Sequence, residues 1–272
     1  PAILIPLFER LRMRAKVAQT VVAESALNDV TGAVLTLSVA AFVVEGEGSL
    51  AEPLGEFALE LVISTGLGVV IGLALALAVS SRQIGVWRGT AALAALAGVG
   101  GSYFAIEAAG GSGYMGAFVA GLIVGNMNTL RLGIEPEHEQ DIHSFMSLAK
   151  DVAVILIFMT LGANLPFDRM AEHALPALAV LAAFIFVARP LTVLACLLPD
   201  RRARWEWREI GFVAWTRETG VVPAALVGVL VARGVPYQDE IVTVVALAVV
   251  VTLVLQSTTK PWLARRLQLL EQ

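Results

Sequence analysis

The sequence predicts an all-α, polytopic membrane protein of about eight transmembrane helices, and three observations predict it. Only 15% of the 272 residues are charged and 57% are hydrophobic, where a soluble domain carries about 25% charged residues. The apolar residues gather into runs of about 20, the length a helix needs to cross a bilayer. Basic residues, finally, fall almost wholly on one side once those runs are threaded alternately, as the positive-inside rule requires.

The runs cover about 19–44, 57–80, 88–108, 113–128, 143–163, 174–198, 208–232 and 238–259. Lipid offers no hydrogen-bond partners, so each run must satisfy its own backbone as a helix. The connections are short and polar, with Gly, Pro, Asp or Glu in most of them. Pro1-Ala-Ile-Leu-Ile-Pro-Leu-Phe8 is too short to span and reads as the tail of a further helix. In the second and fourth runs Gly68 and Gly72, and Gly121 and Gly125, have the spacing that lets helix backbones approach closely. With the segment before the first run placed in the cytoplasm, that side receives Arg10, Arg12, Arg14, Lys16, Arg82, Arg88, Arg131, Arg201, Arg202, Arg204, Arg208, Lys260, Arg265 and Arg266. The other side receives Arg169 and Arg233. Lys150, Arg189 and Arg217 fall inside runs. The one cysteine, Cys196, sits in an apolar run and is expected as a buried thiol.

The first run carries the chemistry, in Val22-Ala-Glu24-Ser25-Ala-Leu-Asn28-Asp29-Val-Thr-Gly32. A charge deep in a bilayer costs at least about 2.5 kcal/mol and is kept where it faces protein or a wet cavity. Asp29 lies about 4.5 Å from the midplane and Glu24 about 7 Å further out, about 140° apart on the helix. Ser25 shares a face with Asp29, and Asn28 with Glu24. Arg189, in Phe186-Val-Ala-Arg-Pro190, comes to nearly the depth of Asp29 from another run. A buried guanidinium keeps its charge and needs a carboxylate. Depth slightly favours Asp29 as its partner, and the length of arginine also reaches Glu24. Either way one acid is left over, able to exchange a proton for a metal cation.

The seventh run holds Trp215-Thr-Arg217-Glu218-Thr219-Gly220-Val-Val-Pro223 at its centre. Pro223 cannot donate to the Thr219 carbonyl and Gly220 weakens the helix, so a break is expected near residues 217–223. Broken helices at the midplane form binding sites in transporters. Arg217 would neutralise the end of the preceding half-helix or pair with Glu218. Glu107, at the end of the third run, reads as interfacial. Lys150 and Asp151 read as a local pair. His138, His143 and His173 lack metal-ligand spacing, and no nucleophile elbow, phosphate loop or paired-cysteine site is present. Nothing points to an enzyme, a cofactor or a nucleic acid.

Taken together, Glu24-Ser25…Asn28-Asp29, Glu107 with Ser112-Gly113 and Gly121, Phe158-Met-Thr-Leu-Gly162, Arg189-Pro190 and Arg217…Gly220-Val-Val-Pro223 resemble the sodium/proton exchangers of monovalent cation:proton antiporter family 1 over the whole chain. The resemblance implies a thirteen-helix inverted-repeat fold with a six-helix core domain moving against a dimerisation domain. It implies Asp29 as the ion-binding aspartate (the metal ligand for Na⁺ or K⁺), with Asn28 and Ser25 beside it. Glu24 and Arg189 become a structural ion pair, Arg217 and Thr219 the polar groups of the broken helix, and Glu107 an accessory acid. It further implies that Pro1 ends a Thr-Asp-Pro motif and that about five helices precede it. Beside its second arginine the family often has Gly or Leu, where this chain has Thr216 and Glu218. An Asn-Asp pair resembles the members that exchange one cation for one proton.

The expected protein is therefore an alternating-access antiporter of Na⁺ or K⁺ against H⁺. It would sit in a prokaryotic plasma membrane with a cytoplasmic C-terminus, and form a homodimer at full length. The rivals are a potassium-efflux antiporter or channel of the related branch and a non-transporting membrane sensor or scaffold.

Overall fold

The structure, a computed structural model, describes residue 8 and residues 10–45, 51–81, 84–217 and 219–270. Pro1, Arg82 and Glu218, which carry part of the expectation, lie outside them. Among the described residues eleven α-helices follow one another: α1 (Ala15–Glu45), α2 (Ala51–Val79), α3 (Ala91–Ala108), α4 (Gly113–Gly125), α5 (Pro136–Ala163), α6 (Phe167–Ala183), α7 (Arg189–Leu197), α8 (Trp207–Trp215), α9 (Val221–Ala232), α10 (Gln238–Val251) and α11 (Ser257–Arg266). Among the described residues the extended structure is one bridge, Met13 to Leu270. Six stretches among the described residues are long and apolar enough to cross a membrane, and α4 and α9 are shorter apolar helices. Large apolar side chains such as Phe104, Leu175 and Val62 stand more than 70% exposed, a surface that suits lipid and not water. The protein is a multi-pass membrane protein.

Two runs have internal structure that shapes the site. The 174–198 run is α6 and α7 joined by a π-helical turn, Phe184–Ala188, in which the Arg189 N–H donates to Phe184 O. Pro190 has no N–H, and its ring would collide with the carbonyl four residues back in a tight turn. The wider π turn accommodates it. The 208–232 run is two helices. α8 ends at Trp215 and α9 begins at Val221, with Gly220 in extended conformation at its head. The break thus opens a few residues before the proline. Pro223 is the third residue of α9, where its missing N–H has no helical acceptor to lose.

The chain forms two compact units, residues 1–29 with 157–272, and residues 30–156. In the second unit α2 and α4 touch backbone to backbone. A methyl group on Gly68 would fall 2.8 Å from Gly116 O, and one on Gly72 would fall 2.9 Å from Ala120 Cα. Gly121 and Gly125, expected to play the same part, meet nothing there; they line a cavity of about 450 Å³ between α2, α3, α4 and α5. Lys150 and Asp151 pair at 3.2 Å on the exposed face of α5.

In the first unit Val17 and Val21 of α1 pack with Val193 of α7, Ile210, Phe212 and Val213 of α8, Ala264 of α11 and Leu269. Glu209, 2% exposed in α8, receives Lys16 at 2.5 Å and Arg14 at 3.7 Å. This core fixes the head of α1 against α7 and α8. Two expectations change here. Cys196 is exposed on α7, and Lys260, counted with the basic loops, is wholly buried in α11. Hydropathy alone does not say which way a helix face turns.

Candidate ion-binding site

Every residue of the site belongs to the unit of residues 1–29 and 157–272. α1 presents Glu24, Ser25, Asn28 and Asp29. α7 sends Arg189, 4% exposed, across to Glu24. The contact is bidentate, Nη1 to Oε1 and Nη2 to Oε2, the latter at 2.7 Å. The same Nη2 donates to Val213 O at 3.0 Å and Thr216 O at 3.3 Å, carbonyls at and just beyond the end of α8. A helix that stops inside a membrane leaves its last carbonyls without partners and its end partially negative. Arg189 answers both, and it neutralises Glu24 as well.

Arg217 lies in the gap between α8 and α9. With the Asn28 carboxamide oriented so that its oxygen faces the guanidinium, Oδ1 accepts from Arg217 Nη1 at 3.0 Å and Nη2 at 2.7 Å. That orientation follows from the donors and acceptors around it. Arg217 Nη1 stands 3.9 Å from Glu24 Oε1, and the guanidinium lies over the Phe184 ring at 5.2 Å. The half-helix end expected for Arg217 is thus served by Arg189, and Arg217 itself turns to Asn28.

Asp29 is the residue left over. It is half-buried, and among the described residues its carboxylate has no hydrogen bond and no cation within 4 Å. It lines a cavity of about 20 Å³ with Glu24, Ser25, Asn28, Arg189, Thr216 and Arg217. The structure therefore brings together Glu24, Ser25, Asn28, Asp29, Arg189 and Arg217. Thr219 stands apart from that cavity. Its backbone N–H donates to Thr252 Oγ1 at 3.0 Å, which ties the broken segment to the π turn Thr252–Gln256 between α10 and α11. Glu107 belongs to the other unit, where its Oε1 accepts from Gly113 N at 3.0 Å and satisfies the head of α4.

The parts played by three residues went unread in the sequence, where Thr216 was noted only as a departure from the family pattern. Thr216 lines the cavity; Thr252 holds the break; Glu60, on α2, accepts from Ser38 Oγ at 3.2 Å. Polar residues four apart in an apolar run (Thr252, Gln256, Lys260) were the available signal for the second.

The family model of the sodium/hydrogen exchanger transmembrane region matches residues 1–266. Among curated proteins the chain is similar to Na(+)/H(+) antiporter 1 of Methanocaldococcus jannaschii, 30% identical over 244 residues, covering 83% of this chain and 52% of that protein. It is also similar to the K(+)/H(+) antiporter NhaP of Alkalimonas amylolytica, 27% identical over 259 residues, covering 95% of this chain and 43% of the relative. The solved structure of the sodium proton antiporter MjNhaP1 from Methanocaldococcus jannaschii at pH 8 superposes with a TM-score of 0.78 at 26% identity, over 98% of this chain and 68% of that one. The chain spans about half the length of the curated relatives it matches. A match across nearly its whole length places it plainly: this chain belongs to the sodium/hydrogen exchanger family.

Proposed function

We propose that the chain is part of a secondary antiporter that exchanges Na⁺ or K⁺ for H⁺ by alternating access, with Asp29 as the carboxylate that carries one or the other. The observation that carries this reading is the division of charge in the site. Glu24 and Asn28 occupy both arginines, and Asp29 is left unpaired among the described residues at a small polar cavity. Alkali cations are hard and take oxygen ligands, which Asp29 and the Ser25 hydroxyl supply. A proton on Asp29 and a monovalent cation bound to it leave the site with the same formal charge, so one-for-one exchange moves no net charge. Both a Na(+)/H(+) and a K(+)/H(+) antiporter stand among the relatives, and the charge-bearing residues do not choose between the two ions.

The basic residues of the loops support a cytoplasmic C-terminus in a prokaryotic plasma membrane. A homodimer is the proposed assembly of the full-length protein. Asp29→Asn tests the central claim: in full-length protein reconstituted into vesicles with a pH-sensitive dye, exchange is abolished while the melting temperature holds. Cation-driven dequenching at the wild-type rate overturns it.

A further inference from the structure

Thr216 is the first residue after α8, in extended backbone with φ −83° and ψ 92°. Its backbone is fully engaged, N–H to Phe212 O at 2.9 Å and carbonyl oxygen from Arg189 Nη2 at 3.3 Å. Its side chain is not. The residue is 1% exposed, and Oγ1 is buried without a hydrogen-bond partner among the described residues. A buried hydroxyl left without a partner lowers stability, and a valine of the same shape would lack that penalty.

The hydroxyl belongs to a residue of the cavity that Ser25, Asn28 and Asp29 also line. That cavity, about 20 Å³, has room for one water-sized guest. The Asn28 oxygen is turned to Arg217, which leaves the cavity short of neutral oxygens beside the Asp29 carboxylate. Arg189 Nε is a further buried atom here without a partner, but as a donor it takes a water oxygen and not a cation.

We propose that Thr216 Oγ1 is a neutral ligand of the transported cation and helps set which alkali ion the site prefers. A hydroxyl contributes a lone pair to a desolvated cation, and to a protonated Asp29 one neutral hydrogen bond. The inference rests on the reading of Asp29 as the exchanging acid.

The test compares Thr216→Val and Thr216→Ser with Asp29→Asn in reconstituted full-length protein, titrating Na⁺ and K⁺ separately. Thr216→Val raises the KM for the preferred cation about tenfold, the loss of one modest contact, shifts the Na⁺-to-K⁺ ratio and leaves the maximal rate and melting temperature near wild type. Thr216→Ser, which keeps the oxygen, stays close to wild type in KM. Unchanged KM for both ions in Thr216→Val, with Asp29→Asn inactive, overturns the ligand role alone, as does a fall in maximal rate at constant KM. An active Asp29→Asn overturns the antiport reading beneath it. Thr216→Ala carries the same comparison where the valine variant does not fold.

Discussion

Glu24 meets Arg189 through both guanidinium Nη groups, and the arginine keeps only 4% of its side chain exposed against 35% for the glutamate. Removing one partner strands the other charge. Because Glu24 is about a third open, the expected cost is about 3 kcal/mol, the low end for breaking a buried pair. At about 2–4 °C per kcal/mol for a chain of this size, Glu24→Gln and Arg189→Lys each lower the melting temperature by roughly 6–12 °C. Lysine does not rescue, since it lacks the fork that reaches Glu24 and the α8 carbonyls together. Thermal-shift curves that superpose on wild type for both variants would count against the pair.

Asn28 accepts from both Nη groups of Arg217, and the proposed role of Asp29 makes that contact a means of keeping the guanidinium from its carboxylate. Asn28→Ala frees that guanidinium to turn toward the neighbouring carboxylate, where it competes with the cation. The expected outcome is an apparent KM for cation raised about tenfold, the loss of roughly 1.4 kcal/mol of binding. Cation titration of exchange in vesicles reads it directly. A KM at the wild-type value shows that Asn28 plays no such part.

Thr252 is the acceptor for the Thr219 amide in the gap between α8 and α9. Thr252→Val leaves a partly buried donor unmatched, worth about 1–3 kcal/mol locally. Amide hydrogen exchange at Thr219 should then quicken by about tenfold or more, with Thr252→Ser close to wild type. Equal protection in all three proteins would remove Thr252 from the account of the break.

The fold class was legible because membrane-length apolar runs admit one economical backbone solution. The polar cluster of α1 was legible for the same reason, since each charge in such a run must answer to something. Which acid meets Arg189 was not legible from helix depth, and it was the family resemblance that named Glu24. Depth sets residues at a level along a helix but says nothing of rotation about it, and at least two pairings were open to Arg189. The π turn Phe184–Ala188 shifts the register before Arg189 by about one residue, near 100° of rotation, and no periodicity in the sequence announces it. The same blindness to rotation misplaced Cys196 and Lys260. Thr216 stood out in the sequence only as a departure beside the second arginine, because its interest lies in a contact it fails to make among the described residues.

Arg189 gives the break between α8 and α9 a consequence for how this protein can vary. One guanidinium closes the stopped helix and balances Glu24, so the charge inventory of the site and the integrity of the fold are a single object. Substitutions at Glu24 or Arg189 will register first as lost stability. On the proposed reading of Asp29 as the exchanging acid, natural drift or laboratory selection toward another cation has its free choices among the uncharged neighbours, Ser25 and Thr216, which leave the closed helix untouched.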